Sequence, residues 1–149
     1  MPLFSAKLDY ALRAVVELAL QPADRACQSR EIAAAQDIRG PYLDQILAAL
    51  KRQGIVRSIR GAGGGYALAR SPRKITVGDV VRALVGEHLL IGSSAAKVDP
   101  ASPGSGYTIR KYEEEVENRL KAILDSTTLE DLAARKQSLD DSLSLMPGI

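Results

Sequence analysis

The sequence predicts a mainly α-helical protein with one two-stranded β-hairpin. Two observations support this fold class. Apolar residues recur every three or four positions in most segments of the chain, which is the spacing of amphipathic helices. In addition, two short β-prone runs, IVRSI and GYALA, flank the stretch RGAGG at residues 60–64, and this arrangement is typical of a hairpin with a glycine-rich turn.

The composition is that of a soluble protein of 149 residues, which fits one domain or one domain with an appendage. No apolar run approaches the roughly 20 residues that cross a bilayer, and the N-terminus does not have the features of a signal peptide. The single cysteine, Cys27, excludes an intramolecular disulfide and indicates a reducing compartment. One histidine and no paired Cys-x-x-Cys argue against an enzyme or a zinc site. We therefore expect a cytoplasmic, non-enzymatic protein.

Three helices are predicted before residue 55. An apolar stripe predicts the first over residues 5–20. Ser29 is placed to cap a short second helix, REIAAAQ. Pro41 favours the start of a third helix, which Gly54 ends. Two short helices with a tight link, after a longer one, indicate a helix-turn-helix.

The hairpin follows this helix-turn-helix directly, so we interpret it as a wing. Thr76 and Asp79 match a capping box that begins a fourth helix, VGDVVRALVG. These elements define a winged helix-turn-helix domain over residues 1–90.

Residues 91–107 are small, polar and interrupted by proline, which predicts a linker or flexible loop. A long helix and a short following helix are predicted within residues 108–137, and the remainder, 138–149, is expected to fray. Thr127 with Glu130 matches a capping box for the short helix.

The long helix, over about 108–125, carries a narrow apolar stripe. Its members are Tyr112, Val116, Leu120, Ile123 and Leu124. A stripe of this kind favours a partner helix, either from the same chain or from a second copy. From the residues alone, both partners remain open.

The charge pattern points to an anionic partner. No acidic residue occurs between Asp44 and Asp79, whereas seven basic residues do. A P-loop requires lysine and a hydroxyl residue after its last glycine, but Tyr66 and Ala67 follow Gly65. A dinucleotide fingerprint requires a following helix, where this chain predicts a strand. Nucleic acid therefore fits better than a nucleotide, and a solvated basic face remains the alternative.

The third helix is the predicted base reader, because its apolar face packs inward and leaves polar side chains outward. Gln45 can pair with adenine, and Asp44 can accept a hydrogen bond from cytosine. Arg60 can enter a minor groove beside the turn glycines, which permit close approach of the backbone to DNA. The alternatives are a solvated helix face and a hairpin turn without a ligand.

The segments YLDQILAALKRQGIVRSIRGAGGGYALAR, ITVGDVVRAL and LDSTTLEDL resemble the winged helix-turn-helix regulators of the Rrf-two family, of the IscR, NsrR and CymR type, over about residues 3–135. The resemblance implies a bacterial homodimer whose long helix crosses to the other subunit, and a partly palindromic DNA operator. It is compatible with repression or activation. The DNA-binding set predicted from the residues and the resemblance is Ser29, Arg30, Tyr42, Asp44, Gln45, Arg52, Arg57, Arg60, Gly61, Gly63, Gly64 and Gly65.

The chain departs from this family in its sensor region. Many members hold an iron–sulfur cluster with three cysteines between the fourth and fifth helices, but Gly86–Tyr107 contains none. Cys27, His88 and Asp9 are the candidate substitutes, and a dimer would bring two of each to a shared, atypical [2Fe-2S] cluster. Each also has an ordinary interpretation, as a buried apolar residue, a surface residue and a first-turn charge, respectively. No cofactor is therefore predicted.

Two functions compete without a cluster. The first is a DNA-binding regulator that responds to a small molecule, a partner protein or oxidation of Cys27. The second is a protein-interaction module that uses the winged helix without DNA specificity.

Overall fold

The computed structural model describes residues 2–91, 101 and 104–145, and within them confirms a mainly α-helical winged-helix fold. The elements, in chain order, are α1 Ala6–Ala19, α2 Ser29–Gln36, α3 Gly40–Arg52, β1 Val56–Ile59, β2 Gly65–Leu68, α4 Val77–Val85, α5 Ser105–Asp125 and α6 Leu129–Ser144. A short 3-10 turn, Pro72–Lys74, precedes α4. None of the helices in these ranges is long and apolar enough to cross a membrane.

The hydrophobic core lies where α1, α3 and α4 meet, because each helix turns its apolar stripe to the other two. Its fully buried members include Leu8, Val15, Leu43, Leu47 and Val80. The predicted capping box of α4 is present, since Asp79 N–H donates to Thr76 Oγ1 and Thr76 N–H donates to Asp79 Oδ2.

The two strands form the predicted antiparallel hairpin, with Val56 opposite Leu68 and Ile59 opposite Gly65. Cys27, two residues before α2, extends this sheet by one bridge. Cys27 N–H donates to Tyr66 O at 2.8 Å, and Tyr66 N–H donates to Cys27 O at 2.7 Å. These two bonds attach β2 of the wing to the segment that leads into α2.

The predicted caps of two helices are wrong by one residue. Gln28, rather than Ser29, holds the N-cap position of α2, without a side-chain cap bond. Thr128 with Asp131, rather than Thr127 with Glu130, forms the capping box of α6. The α6 shift has a tertiary cause, because the neighbouring backbone of this corner pairs with the residues that precede α4.

The C-terminal half is more helical than predicted. The long helix begins at Ser105, so residues 105–107 belong to α5 rather than to a loop. The last helix runs for 16 residues to Ser144, which corrects the predicted short helix and frayed tail. Most of the predicted loop, and the last four residues of the chain, lie outside the described residues.

The predicted dimerisation stripe divides into two parts in the folded chain. Leu124 is buried, and Leu120 packs against the core. Tyr112, Val116 and Ile123 remain exposed. Part of the stripe thus attaches α5 to its own domain, and the rest faces away from it.

Candidate nucleic-acid interface

The N-terminus of α2 presents unsatisfied hydrogen-bond donors to the surface. The backbone N–H groups of Glu31 and Ile32 donate to Gln28 O, whereas those of Ser29 and Arg30 have no acceptor within the described residues. Arg30 is exposed. Because first-turn N–H groups and the helix dipole both favour negative charge, this end of α2 is suited to a phosphate.

The N-terminal half of α3 exposes the predicted reading residues. Asp44 and Gln45 are exposed, while Leu43 and Ile46, which flank them in sequence, are buried on the opposite face of the helix. Gln45 therefore faces outward from a helix that the core holds firmly. Arg52 lies seven residues further along α3, about 10 Å from Gln45 along the helix axis, and so contacts a different part of any ligand.

Tyr42 is only half exposed, because its ring packs on α1. It meets Tyr10 edge-to-face, with the ring centroids 5.8 Å apart and an interplanar angle of 83°. The predicted phosphate-binding tyrosine therefore also anchors the beginning of α3 to the core.

The wing brings Arg60 and its glycines to the surface next to α2. Arg60 is exposed at the end of β1, and Gly61 has a positive φ of 110° in the turn. Gly65 has a φ of 152°, and a Cβ there would overlap Cys27 O. Gly65 is therefore required for close packing of the wing against the start of α2, while nothing lies within 4 Å of a Cβ at Gly63.

The basic residues separate into paired and unpaired groups. Arg57, Arg70 and Arg73 each lie 3.8–3.9 Å from a carboxylate oxygen, of Asp24, Asp79 and Glu130, respectively. Within the described ranges, no ion pair involves Arg30, Arg39, Arg52 or Arg60. These four guanidinium groups are exposed, which leaves them available to an anion.

Arg39 was missed by the sequence reasoning. It occupies the N-cap position of α3, is exposed, and precedes Gly40 and Pro41. Its position directly before a Gly-Pro helix start was the signal that could have identified it, because a residue there necessarily borders the N-terminal end of the predicted reading helix.

The three metal-ligand candidates lie in unrelated environments. Cys27 is buried in the core, and burial, with a smaller contribution from Glu31, raises the pKa of its thiol. Asp9 pairs with Arg13 at 2.8 Å, and His88 is exposed. In the part of the chain that the structure describes, no three His, Cys, Asp or Glu side chains converge on a possible metal position.

The helix-turn-helix, the wing and the unpaired arginines define a winged helix-turn-helix protein. Comparison with known proteins then specifies the family. The Rrf2 family model, described as an iron-dependent transcriptional regulator, matches residues 4–135. The chain belongs to the Rrf2 family of transcriptional regulators, and is not an enzyme.

Individual relatives agree with this assignment. The transcriptional regulator CymR of Bacillus subtilis is 35% identical over 130 residues, which are 87% of this chain and 88% of CymR. A solved structure of CymR, the global cysteine regulator of B. subtilis, superposes with a TM-score of 0.72 and 35% identity over 91% of this chain and 98% of that chain. The structure of T. potens IscR gives a TM-score of 0.68 and 33% identity, covering 97% of this chain and 92% of that chain.

The residues of this chain do not fit an iron–sulfur cluster of the kind that three cysteines hold. The sequence contains one cysteine, which lies in the hydrophobic core where burial raises the pKa of its thiol, whereas a cluster is held by several cysteine thiolates. The hypothesis of a cluster shared through Cys27 is therefore not favoured.

Proposed function

We propose that this protein is a homodimeric, sequence-specific DNA-binding regulator that acts on a partly palindromic operator in the bacterial cytoplasm. One observation carries the proposal: Arg30, Arg39 and Arg60 are exposed and unpaired within the described residues, at the starts of α2 and α3 and beside the wing turn. Unpaired guanidinium groups around a reading helix are what a DNA backbone requires.

Each part of this surface has a distinct role in the proposal. The α2 N-terminus and Arg30 bind a backbone phosphate, with Ser29 Oγ as a further ligand. Gln45 reads adenine in the major groove, and Asp44 disfavours bases that do not present a donor. Arg60 enters the adjacent minor groove.

The remaining predicted contacts support positioning rather than base reading. Arg52 at the far end of α3 binds a phosphate without sequence preference, and Arg57 on β1 does so by exchanging its long, exposed pair with Asp24 for the phosphate. The hydroxyl of Tyr42 is directed to a phosphate by the ring packing described above. Gly61 and Gly63 keep the wing tip narrow, and Gly64 and Gly65 hold it in place.

The exposed apolar face of α5 is the proposed dimer surface. Ile109, Tyr112, Val116 and Ile123 recur at helical spacing and are at least one-third exposed. A face of this kind on a 21-residue helix favours pairing with the same face of a second copy. Two copies then present two reading helices to two half-sites, which accounts for the palindrome.

The central experiment is a selection from random duplex DNA with wild-type protein, Gln45→Ala, Arg39→Ala and the control Lys111→Ala. Lys111 pairs with Glu114 on α5, away from its exposed apolar face, so its removal changes net charge without touching the proposed DNA or dimer surfaces. Gln45→Ala should lose preference at one base position, at a cost of about 1–3 kcal/mol, while Arg39→Ala should weaken all sequences and reduce the salt slope by about 1.

Two outcomes would contradict the proposal. Wild-type protein that binds no duplex better than random DNA would favour the protein-interaction module. Retention of every base preference by Gln45→Ala would show that Gln45 does not read a base.

The dimer requires a separate measurement. Val116→Glu places a charge in the exposed apolar face and should shift the sedimentation mass from two chains to one. The control Glu114→Gln lies on the same helix in an exposed pair with Lys111 and should leave the mass unchanged. A wild-type mass of one chain would refute the proposed dimer.

A further inference from the structure

The corner between α5 and α6 is attached to the start of α4 by backbone hydrogen bonds. Val77 N–H donates to Thr127 O at 2.8 Å, and Leu129 N–H donates to Ile75 O at 2.9 Å. The corner is therefore part of the winged-helix domain, and the C-terminal end of α5 is held at a fixed position on that domain.

A fork of charged hydrogen bonds holds the last residue of α5 to α4. Arg82 Nη1 donates to Asp125 Oδ2 at 3.2 Å, and Arg82 Nη2 donates to Asp125 Oδ1 at 3.0 Å and to Asp79 Oδ1 at 2.9 Å. Thr76 Oγ1 donates to Asp125 Oδ1 at 3.3 Å. Bidentate guanidinium–carboxylate contacts are directional, so this fork restrains orientation as well as distance.

The fork also offsets an unfavourable helix end. Asp125 places a negative charge at the C-terminus of α5, where the helix dipole is already negative and no basic residue lies in the last turn. Arg82, from the last turn of α4, supplies the missing positive charge. The negative charge at the C-terminus of α5 is thus compensated by a side chain of the winged-helix domain.

Gly78 makes this approach possible. A Cβ at this position would overlap Asp125 Oδ1 and lie 2.8 Å from Asp125 Cγ. Gly78 is buried, and α4 and α5 therefore meet with backbone against carboxylate. Such close contact leaves little room for the end of α5 to slide on α4.

The same network extends to the exit of the wing. Arg70, two residues after β2, donates to Lys74 O at 3.2 Å and lies 3.8 Å from Asp79 Oδ2. Burial raises the pKa of Asp79, but its bonds from Thr76 N–H and Arg82 outweigh that effect, and the pKa is lowered. Asp79 thus remains a carboxylate that accepts a hydrogen bond from Arg82 and forms a longer ion pair with Arg70.

We propose that the contact of Arg82 and Gly78 with Asp125 sets the angle between the winged-helix domain and α5, and thereby the half-site spacing that the dimer accepts. The inference rests on the proposed function, because it takes α5 as the dimer helix. When two domains are joined through α5, the distance between their reading helices depends on how rigidly each domain is held on its own helix. Arg82, Asp125 and Gly78 are positioning residues that touch no DNA.

The test is a binding selection on duplexes that carry two half-sites separated by spacers varied one base pair at a time. The proteins are wild type, Arg82→Lys, Asp125→Asn and the control Glu115→Gln, whose partner on α5 is the exposed Arg119. Arg82→Lys keeps the charge but loses the fork, and Asp125→Asn keeps the shape but loses the charge. Binding to an isolated half-site is measured in parallel, and circular dichroism checks the fold.

Wild type and Glu115→Gln should select a narrow spacing. Arg82→Lys and Asp125→Asn should accept neighbouring spacings and bind the preferred one about tenfold less, with half-site binding within about twofold of wild type. Folded variants with the wild-type spacing profile would overturn the inference, and so would unfolding of both variants, which would assign the contact to stability alone. If the wild-type protein shows no sequence preference, the proposed function itself is refuted.

Discussion

Glu117→Gln is the most direct test of how α5 is held on the domain. Glu117 is 3% exposed, although its helix neighbours carry charge at the surface. Its Oε1 accepts from Leu89 N–H at 3.2 Å and its Oε2 from Ile91 N–H at 3.3 Å, with Lys121 Nζ 3.4 Å from Oε1. The carboxylate therefore fixes the chain that follows α4 onto α5.

The size of the stability loss in Glu117→Gln follows from the loss of one carboxylate oxygen as a hydrogen-bond acceptor. Glutamine keeps one oxygen, so one of the two backbone N–H groups loses its partner, at a cost of about 1–3 kcal/mol when it stays out of water. Loss of the Lys121 pair adds less than about 1 kcal/mol, since that side chain reaches solvent. The expected total is about 2 kcal/mol, which lowers Tm by about 4–8 °C in a protein of this size.

The pH dependence gives a second signature. Burial raises the pKa of Glu117, but the bonds from Leu89 and Ile91 and the charge of Lys121 lower it further, so the net shift is downward. The contribution of this carboxylate is therefore complete above the ordinary glutamate pKa and disappears as pH falls through the lowered, folded-state pKa. The difference between wild type and Glu117→Gln should shrink in acid.

The assay is urea unfolding at fixed protein concentration, at neutral pH and again below the ordinary glutamate pKa. Glu115→Gln is the matched control, because it removes the same charge from an exposed pair and should cost at most about 0.5 kcal/mol. Equal stability of the Glu117→Gln and Glu115→Gln proteins at neutral pH would refute the reasoning.

Three further outcomes are expected. Gly65→Ala should lower the free energy of unfolding in urea by about 2–4 kcal/mol, because φ is positive there and the new Cβ would overlap Cys27 O. Gly63→Ala should be tolerated, and equal losses for the two variants would contradict this expectation. Burial and the raised thiol pKa should make Cys27 react far more slowly with a thiol reagent in the native protein than in urea, and equal rates would show an accessible sulfur. Thr128→Ala should cost about 1 kcal/mol in thermal unfolding and Thr127→Ala clearly less, and the reverse order would place the cap where the sequence pattern suggested.

Local signals were sufficient for the winged-helix half of the fold. The stripes of α1 and α3, the proline at the start of α3 and the glycines of the hairpin act within a few residues of one another, and the sequence reading located each of these elements. The outward-facing Asp44 and Gln45 followed from the same periodicity. Their role in reading DNA remains a prediction.

The features that the sequence did not reveal depend on distant partners. The run TTLED contains two overlapping capping patterns, and hydrogen bonds to the residues before α4 decide between them. Glu117 resembles an ordinary surface member of an i,i+4 pair with Lys121, and becomes buried only because residues 89–91 fold over it. The bond between Arg82 and Asp125 joins residues 43 positions apart, which no local pattern can indicate.

These distant contacts together determine how α5 is mounted on the domain. Glu117 and Asp125 are eight residues apart, about 12 Å along the helix axis, and each is fixed to a different segment of the domain. A helix held at one point can pivot about it, whereas a helix held at two separated points has a defined direction. Because the two attachments share no partner, the stability losses of Glu117→Gln and Arg82→Lys should add in the double variant. A loss well short of the sum would mean that the two attachment points of α5 open together as one cooperative unit.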